Sequence, residues 1–260
     1  MNADEILKER KFHSNSFPLS VYPKIRKYIP KIIRPFLDIK IYDIKMDDLS
    51  GYYSLGDSCL AASILKETGL RQHSGPFDWI AGLPYLEKLT LINNNFAGML
   101  DKNDLEYQNK TTPEGTIFVK NLRNNALFIH DFRNNSTDEF NAVTEKYRRR
   151  QSRFLSNAKN KNICFLYIGS NDNFDYVRNI NLIINKTIQV KNIIGAQSLS
   201  AILCIKNTQT NNYCDIYQKD KCAIIIQHYD ATILKPKEWT PQSKLNDLAK
   251  KAISIASTMK

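Results

Sequence analysis

The sequence predicts an α/β protein with a single, mostly parallel sheet covered by helices. Two continuous apolar runs, at 162–169 and 199–205, have the composition of strands buried on both faces. The stretch between them, 174–189, has the periodicity of a helix. Strand, helix and strand in this order form a βαβ unit, which predicts that the two strands lie parallel and that helices cover the sheet.

Upstream of this unit the sequence predicts a short strand, a tight turn and a helix. Residues 52–55 form the strand, and Gly56 and Asp57 form the turn. We expect Asp57 or Ser58 to cap the helix, because a short side-chain oxygen accepts hydrogen bonds from N–H groups of the first turn. Gly69 is predicted to end the helix in the left-handed conformation that glycine adopts easily.

The other elements follow from apolar periodicity and turn signals. Residues 74–80 predict a turn that enters a helix. Further helices are predicted at 83–95, from Ser136 to about Phe154, and from Ser243 onward. Further strands are predicted at 39–46, 105–107, 116–119, 126–130 and 223–229. We interpret residues 1–45 as a polar and basic N-terminal extension and residues 46–260 as one α/β domain of catalytic type.

The charge of the chain predicts an anionic partner. The formal net charge is +11 over 260 residues, which favours an anionic or glycan-type substrate or an anionic membrane surface. Between Lys24 and Arg34, cations alternate with apolar and aromatic side chains. This pattern predicts either peripheral contact with an anionic membrane or a strap that packs its apolar side on the domain and leaves its lysines in water. No nucleic-acid-binding motif is found, and specific nucleic acid binding is not expected.

Cysteine usage argues against metal-binding and disulfide frameworks. The five cysteines include no Cys-x-x-Cys pair, so we expect neither a metal nor another cofactor. No apolar run is long enough for a membrane span, and the N-terminus lacks the apolar core of a signal peptide. We therefore expect a cytoplasmic protein, with possible contact at the inner face of the membrane.

Cys59 is the candidate nucleophile. It falls in the first turn of the predicted helix, directly after a glycine-containing loop. The N-terminus of a helix carries about half a positive charge, which favours thiolate over thiol. The alternative is that Cys59 is a buried cysteine of the helix with a structural role only.

Two histidines are candidates for the base, and a third is expected to line the cleft. His130 ends a predicted strand and is followed by Asp131, whose side chain should face the opposite way. His228 ends another predicted strand, and ligand sites of α/β sheets gather at strand carboxyl ends. His73 precedes a Ser-Gly-Pro turn and is expected to line the same cleft as Cys59.

The motif SLGDSCLAASILKETGLRQHSGPFDWI, at 54–80, resembles the signature of a bacterial family of papain-like cysteine peptidases of largely unknown function. The resemblance continues in HDF at 130–132 and in EKYRRRQSRFL at 145–155, and covers about residues 50–230. It implies a papain-like α+β fold as the alternative to the α/β sheet. Members of this family often occur beside genes for surface polysaccharide assembly, which suggests that setting.

The resemblance implies Cys59 as nucleophile and His130 as base. Asp78 is our preferred third member, and backbone N–H groups of Gly56 and Asp57 are expected to bind the oxyanion. The predicted chemistry is a thiol-dependent hydrolase or acyltransferase reaction. The residues expected to line the site are Ser54, Gly56, Asp57, Ser58, His73, Ser74, Trp79, Asp131, Arg149 and His228.

Two other classes of function remain open. The loop 54–58 before a helix is also suited to holding a phosphate, with Arg71 and the basic helix around Arg149 nearby. This arrangement favours a glycan-modifying transferase that uses a phosphorylated or nucleotide-linked sugar donor. The third class is a binding protein without catalytic turnover.

Overall fold

A computed structural model of the chain describes residues 10–13, 49–57, 59–169, 174–207 and 213–230. The helices in these ranges are α1 (Leu60–Glu67), α2 (Tyr85–Asn93), α3 (Thr137–Ala158) and α4 (Ile180–Ile194). The strands are β1 (Arg10–His13), β2 (Leu49–Ser54), β3 (Ile80–Ala81), β4 (Leu105–Thr111), β5 (Ile117–Asn121), β6 (Leu127–Phe132), β7 (Asn162–Gly169), β8 (Ser198–Asn207), β9 (Tyr213–Lys219) and β10 (Cys222–Asp230).

The larger sheet is mostly parallel, which confirms the predicted fold class. Its strand order is β1-β9-β10-β8-β7-β2. Strands β2, β7, β8 and β10 run parallel to one another, and β9 is antiparallel to β10 and to β1. The predicted βαβ unit is formed by β7, α4 and β8, with Asn162 paired to Ser198 at its start.

A smaller antiparallel sheet adds to the predicted single sheet. Its order is β3-β6-β5-β4, and its strands lie in the chain between α1 and α3. The predicted short strands at 105–107, 116–119 and 126–130 correspond to β4, β5 and β6. The sequence pattern did not predict that they form a separate sheet, because the sequence of a short strand does not indicate which strands it pairs with.

Two local predictions are wrong. The N-cap of α1 is Cys59 and not the predicted Asp57, while Ser58, the other predicted cap, lies outside the described residues. Asp57 is too early in the chain, because its N–H still extends the pairing of β2 by donating to Ile168 O at 3.3 Å. Residues 74–79 form turns that lead into β3 instead of a helix. The predicted left-handed Gly69 is confirmed, with φ at +72°.

The packing of α1 determines where Cys59 lies. The helix contacts β2 and β7 and buries Ala61, Ala62, Ile64 and Leu65. The alanine side chains allow the helix to lie close to the sheet. Cys59 is therefore held just beyond the carboxyl end of β2, at the edge where the parallel strands of an α/β sheet commonly build their sites.

An aromatic cluster joins α3 to the sheet. The ring of Phe154, which is 2% exposed, packs edge-on against Tyr53 with the ring centroids 4.7 Å apart. Its centroid lies 6.2 Å from that of Phe165 in β7 and 6.0 Å from that of Phe96. This one side chain therefore links α3 to β2 and β7 and to the segment that follows α2.

Several predictions fall on residues that the structure does not describe. These are the edge strand at 39–46, the helix from Ser243, and the basic segment between Lys24 and Arg34. The division into an extension at 1–45 and a domain at 46–260 stays a prediction, although the backbone of Arg10–His13 pairs with β9. Among the described helices, none combines the length and apolarity needed to cross a bilayer.

The aromatic cluster predicts a large effect of truncation. Phe154→Ala should lower the free energy of unfolding by about 3–5 kcal/mol, because it removes a buried ring that three elements share. Leu122→Ala, at a side chain that is 57% exposed, should change it by less than about 0.5 kcal/mol. Urea denaturation of both variants measures the difference, and equal effects would contradict the role given to Phe154.

Candidate active site

Cys59 differs from the other cysteines whose side chains are described. It is half-buried at the N-terminus of α1, whereas Cys164, Cys204 and Cys222 are buried in strands. Burial raises the pKa of each of these three thiols to about 12. They are therefore poor nucleophiles near neutral pH. Within this set, only the Cys59 sulfur combines exposure to reagents with the electrostatic influence of a helix N-terminus.

The carbonyl groups of the loop before Cys59 accept hydrogen bonds from two residues, Lys88 and Gly82. Lys88 in α2 donates through Nζ to the carbonyl of Leu55 at 3.1 Å and also to the carbonyl of Gly56. Gly82 N–H donates to the Asp57 carbonyl at 2.9 Å. The carbonyl groups of residues 55–57 therefore all accept hydrogen bonds from α2 or from the segment before it.

The N–H groups of this loop are also engaged. Gly56 N–H donates to Ser54 Oγ at 3.4 Å, and Asp57 N–H donates to Ile168 O at 3.3 Å. Both groups had been predicted to bind the oxyanion. A substrate oxyanion at either N–H group would therefore compete with an acceptor that is already in place.

Lys88 is a functional candidate that the sequence analysis missed. Its side chain is 0% exposed, and burial lowers its pKa to about 7, although the nearby Asp57 carboxylate acts in the opposite direction. Its Nζ lies about 6.0 Å from the centre of the Phe77 ring. The available signal was its spacing, because Lys88 occupies an apolar-face position of α2 between Tyr85 and Ile92.

Asp78, the predicted third member of the site, forms an ion pair with an arginine. Its Oδ2 accepts from Arg71 Nη1 at 2.7 Å and from Gly75 N–H at 2.9 Å. Burial raises the pKa of this carboxyl group, while the Gly75 N–H and the Arg71 charge oppose the increase. Asp78 thus ties the turn at 74–79 to the segment that follows α1, and in the described part of the chain no hydrogen bond or ion pair joins it to a histidine.

His130 projects from an irregular part of β6. Val119 in β5 pairs with Phe128 and Ile117 pairs with Phe132, so β6 contains two more residues than β5 between these pairs. His130 is at the centre of this bulge, and its exposed ring packs edge-on against Trp79 at a centroid distance of 5.6 Å. Bulges re-aim side chains and are common beside active sites.

Asp131 faces away from His130, as its position next to it on a strand predicts. Its carboxylate is buried and contacts Lys146 Nζ at 2.5 Å and the Tyr147 hydroxyl at 2.7 Å, both on α3. The Asp131 side chain therefore anchors β6 to α3.

No hydrogen bond joins Cys59 Sγ to a histidine among the described residues. The two candidate residues are linked through intermediate ones. Gly82, which holds the Asp57 carbonyl, follows β3, and β3 pairs with β6 through Ile80 and Phe128. The structure thus connects the Cys59 loop to the strand that carries His130, without direct contact between the two side chains.

His228 is held in a buried pair inside the larger sheet. Its Nε2 lies 3.1 Å from Asp215 Oδ2 of the neighbouring strand β9, and both side chains are almost fully shielded from solvent. Strands β2 and β10 are separated by β7 and β8, which amounts to three inter-strand steps or about 14 Å. The structure therefore does not bring His228 to Cys59.

The remaining predicted residues are distributed over two surfaces. His73 and Ser74 line a cleft at the other end of α1, and Cys59 is not among the residues lining it. Arg149 is exposed on α3 and also lies outside that cleft. Where side chains are described, no group of three or more His, Cys, Asp or Glu residues is suitably placed to hold a metal ion.

A half-exposed cysteine at a helix N-terminus, directly behind a parallel strand, is the arrangement expected of a cysteine-nucleophile site. The sequence profile of the family described as "Putative papain-like cysteine peptidase (DUF1796)" matches residues 50–207. The chain belongs to this family, which confirms the membership that its motifs predict. The match includes Cys59, Lys88, Asp78 and His130 and ends within β8.

One relative in the curated proteins is an uncharacterised protein, R408, of Acanthamoeba polyphaga mimivirus. It is 28% identical over 120 residues, which cover 40% of this chain and 54% of the relative. The match thus spans about half the length of that protein. No solved structure matches the chain.

The buried lysine predicts a specific pH dependence of stability. The pKa of Lys88 is about 7 in the folded protein and 10.5 as the reference value for an unfolded chain, so between these values only the unfolded state holds the proton. The free energy of unfolding should therefore rise with pH relative to Lys88→Met, by about 1.4 kcal/mol per pH unit.

Urea denaturation from pH 7 to 10 measures this difference. Lys66→Met is the matched control, because the Lys66 side chain is exposed and contacts water in both states. A difference between wild type and Lys88→Met that stays constant over this range would contradict the lowered pKa.

Proposed function

We propose that this protein carries out thiol-dependent acyl chemistry, as a hydrolase or an acyltransferase, with Cys59 as the nucleophile. The observation that carries the proposal is the position of Cys59 at the N-terminus of α1, half-exposed, while Cys164, Cys204 and Cys222 are buried. Membership of a family described as papain-like cysteine peptidases supports the same class of chemistry.

The fixed loop supports Cys59 as a preorganised group. Because Lys88 and Gly82 hold the carbonyls of residues 55–57, the start of α1 cannot shift without breaking buried hydrogen bonds. The Cys59 sulfur then keeps a constant position at the positive end of the α1 dipole. A fixed dipole of this kind stabilises the negative charge of a thiolate and the charge that develops on a carbonyl oxygen during attack.

His130 is the proposed base. The bulge in β6 and its exposed ring support this role, since they leave the imidazole accessible to substrate and water. Trp79 contacts the ring, and Asp78 fixes the turn that ends at Trp79, so in this proposal Asp78 positions His130 indirectly. Catalytic hydrogen bonds are often long without substrate and shorten when it binds.

The proposed reaction has two steps. Cys59 transfers its proton to His130, and its sulfur forms a bond to the acyl carbon of the substrate. The bond to the leaving group breaks as that group takes the proton from His130, which leaves a thioester on Cys59. Water in a hydrolase, or an alcohol or amine in an acyltransferase, then loses a proton to His130 and bonds to the acyl carbon of the thioester. The carbon–sulfur bond breaks, and the Cys59 sulfur takes the proton from His130, which restores the thiol and the neutral imidazole.

A sugar-phosphate transferase that holds phosphate in the loop at 54–58 is less well supported. The N–H groups of Gly56 and Asp57 already donate to Ser54 Oγ and Ile168 O, so they offer little to a phosphate. A role in surface polysaccharide assembly stays a prediction from the family resemblance.

The proposal predicts selective reactivity of Cys59. In the native protein, iodoacetamide should label Cys59 first, and Cys164, Cys204 and Cys222 should label only after unfolding, because they are buried. With p-nitrophenyl acetate, the native protein should gain the mass of one acetyl group on Cys59. Peptide mass spectrometry identifies the labelled residue in both experiments.

The role of His130 is tested with matched histidine variants. His130→Ala should lower the rate of acetylation of Cys59 by about 10²-fold or more near pH 7, the contribution typical of a general base. His73→Ala, at another exposed histidine outside the proposed catalytic set, should leave the rate within about twofold of wild type. Equal rates in wild type and His130→Ala would remove His130 from the mechanism, and a Cys59 that resists both reagents would overturn the proposal.

A further inference from the structure

A cleft of about 190 Å³ lies at the end of α1 opposite to Cys59. Three segments form its walls. These are residues 51–53 of β2, the segment after α1 at 69–75, and the second half of α3 with Lys161 just beyond it. Residues from all three segments face one space, although they are far apart in the sequence.

The charged side chains that line this cleft are cationic. They are Arg150, Arg153 and Lys161, and none of the residues that line it is an aspartate or a glutamate. His73 adds a side chain that becomes cationic at mildly acidic pH. Cations placed around one concave space repel one another and raise the local concentration of anions, so the arrangement favours an anionic occupant.

Arg150 provides evidence that this positive charge is incompletely compensated inside the protein. Its Nη1 atom is shielded from solvent and has no hydrogen-bond partner among the described residues. The charge of Asp78 interacts with that of Arg150, but its Oδ2 accepts from Arg71 and from Gly75 N–H. The Arg150 guanidinium lies 5.0 Å from the centre of the Tyr147 ring, so it contributes its charge to the cleft from a fixed position.

Arg153 is fixed toward the same space. Its Nη2 donates to the carbonyl of Ser74 at 3.1 Å, which holds the guanidinium at the rim of the cleft. The wall formed by β2 carries Tyr52 and Tyr53, and Phe154 lines the cleft from α3 beside Arg153. Aromatic rings and phenol hydroxyl groups on one side and cations on the other match a ligand that has both a ring and an anionic group.

We propose that this cleft binds the phosphate group of a small phosphorylated molecule, with Arg150, Arg153 and Lys161 as the phosphate ligands. The volume supports a small ligand or one part of a larger one, since pockets that enclose a whole drug-sized ligand have roughly 300–1,000 Å³. A phosphorylated sugar has the required size, the phosphate charge, and a ring for the aromatic wall.

The proposed site is separate from Cys59. Cys59 precedes α1, and Gly69 and Leu70 of the cleft follow it, so the length of an eight-residue helix, about 12 Å, lies between them. Loss of the thiol should therefore leave phosphate binding intact, and the two proposals are tested independently.

Isothermal titration calorimetry of the full chain tests the proposal, with inorganic phosphate and glucose 1-phosphate as probes. Both should bind at one site, and glucose 1-phosphate should bind more tightly because its ring contacts the aromatic wall. Arg153→Gln and Lys161→Gln should each weaken binding by about tenfold, through the loss of one charge-assisted contact. Cys59→Ser should bind as the wild type does.

Arg148→Gln is the matched control. Arg148 lies on the same helix, is exposed and pairs with Glu145 at 2.8 Å, outside the cleft. Its variant should bind both probes within about twofold of wild type. Equal weakening in Arg148→Gln and Arg153→Gln would indicate diffuse surface charge and overturn the proposal, as would the absence of binding by both probes.

A lipid source of phosphate is distinguished by vesicles that contain phosphatidic acid, which carries the same phosphomonoester. Cosedimentation that depends on Arg153, without binding of either soluble probe, would overturn the assignment to a small molecule. Competition of glucose 1-phosphate with this vesicle binding would support it. Circular dichroism of each variant verifies that the chain is folded. If the Arg153→Gln variant does not fold, the Lys161→Gln variant provides the test.

Discussion

The hydrogen bonds from Lys88 to the Leu55 and Gly56 carbonyls are the interaction on which the arrangement around Cys59 depends. A lysine that is 0% exposed is costly to bury, and burial lowers its pKa to about 7. Its position is explained by what it holds, because two carbonyl groups at the end of β2 would otherwise lack this donor. The strand can therefore end abruptly and turn into α1 within a few residues, and Cys59 is placed at the start of the helix.

A second contact fixes the far end of α1. Arg71 follows the helix, and its ion pair with Asp78 joins this end to the turn at 74–79. Trp79 at the end of that turn contacts His130, and Gly82 shortly afterwards donates to the Asp57 carbonyl. The motif at 54–80 thus contains the whole of α1 and the contact that fixes its far end, while Gly82 and Lys88 just beyond the motif hold the loop at its start. This gives a physical reason why a long, continuous motif marks the family, because the residues of the motif contact one another and not only a substrate.

The fold class could be predicted because its evidence is local. The runs at 162–169 and 199–205 are apolar throughout, which a strand buried on both faces requires, and the helix between them has the right period. Strand β9 was missed because its sequence, YCDIYQK, has neither the strict polar–apolar alternation of a half-buried strand nor a continuous apolar run. Pairing in the smaller sheet was also missed, since it depends on contacts between β3 and β6 that are nearly 50 residues apart in sequence.

The candidate site was predictable in its nucleophile and less so in its surroundings. Cys59 could be identified because the strand, the glycine turn and the helix around it can each be predicted from the sequence. The ion pair of Asp78 with Arg71, and the pairing of His228 with Asp215, are tertiary contacts that residue types alone do not reveal. Lys88 was overlooked because a lysine in an apolar stripe is normally taken as a boundary of that stripe.

Ala61 and Ala62 give the fold a constraint on sequence variation. Both are 0% exposed in α1, where the helix packs on β2 and β7. A larger side chain at either position would need space between helix and sheet, and the N-terminus of α1 would have to move outward. Cys59 would move with it, away from a loop that Lys88 and Gly82 hold in place. In the divergence of this family, the methyl groups of these two alanines should therefore be under selection for the geometry of the thiol as well as for packing.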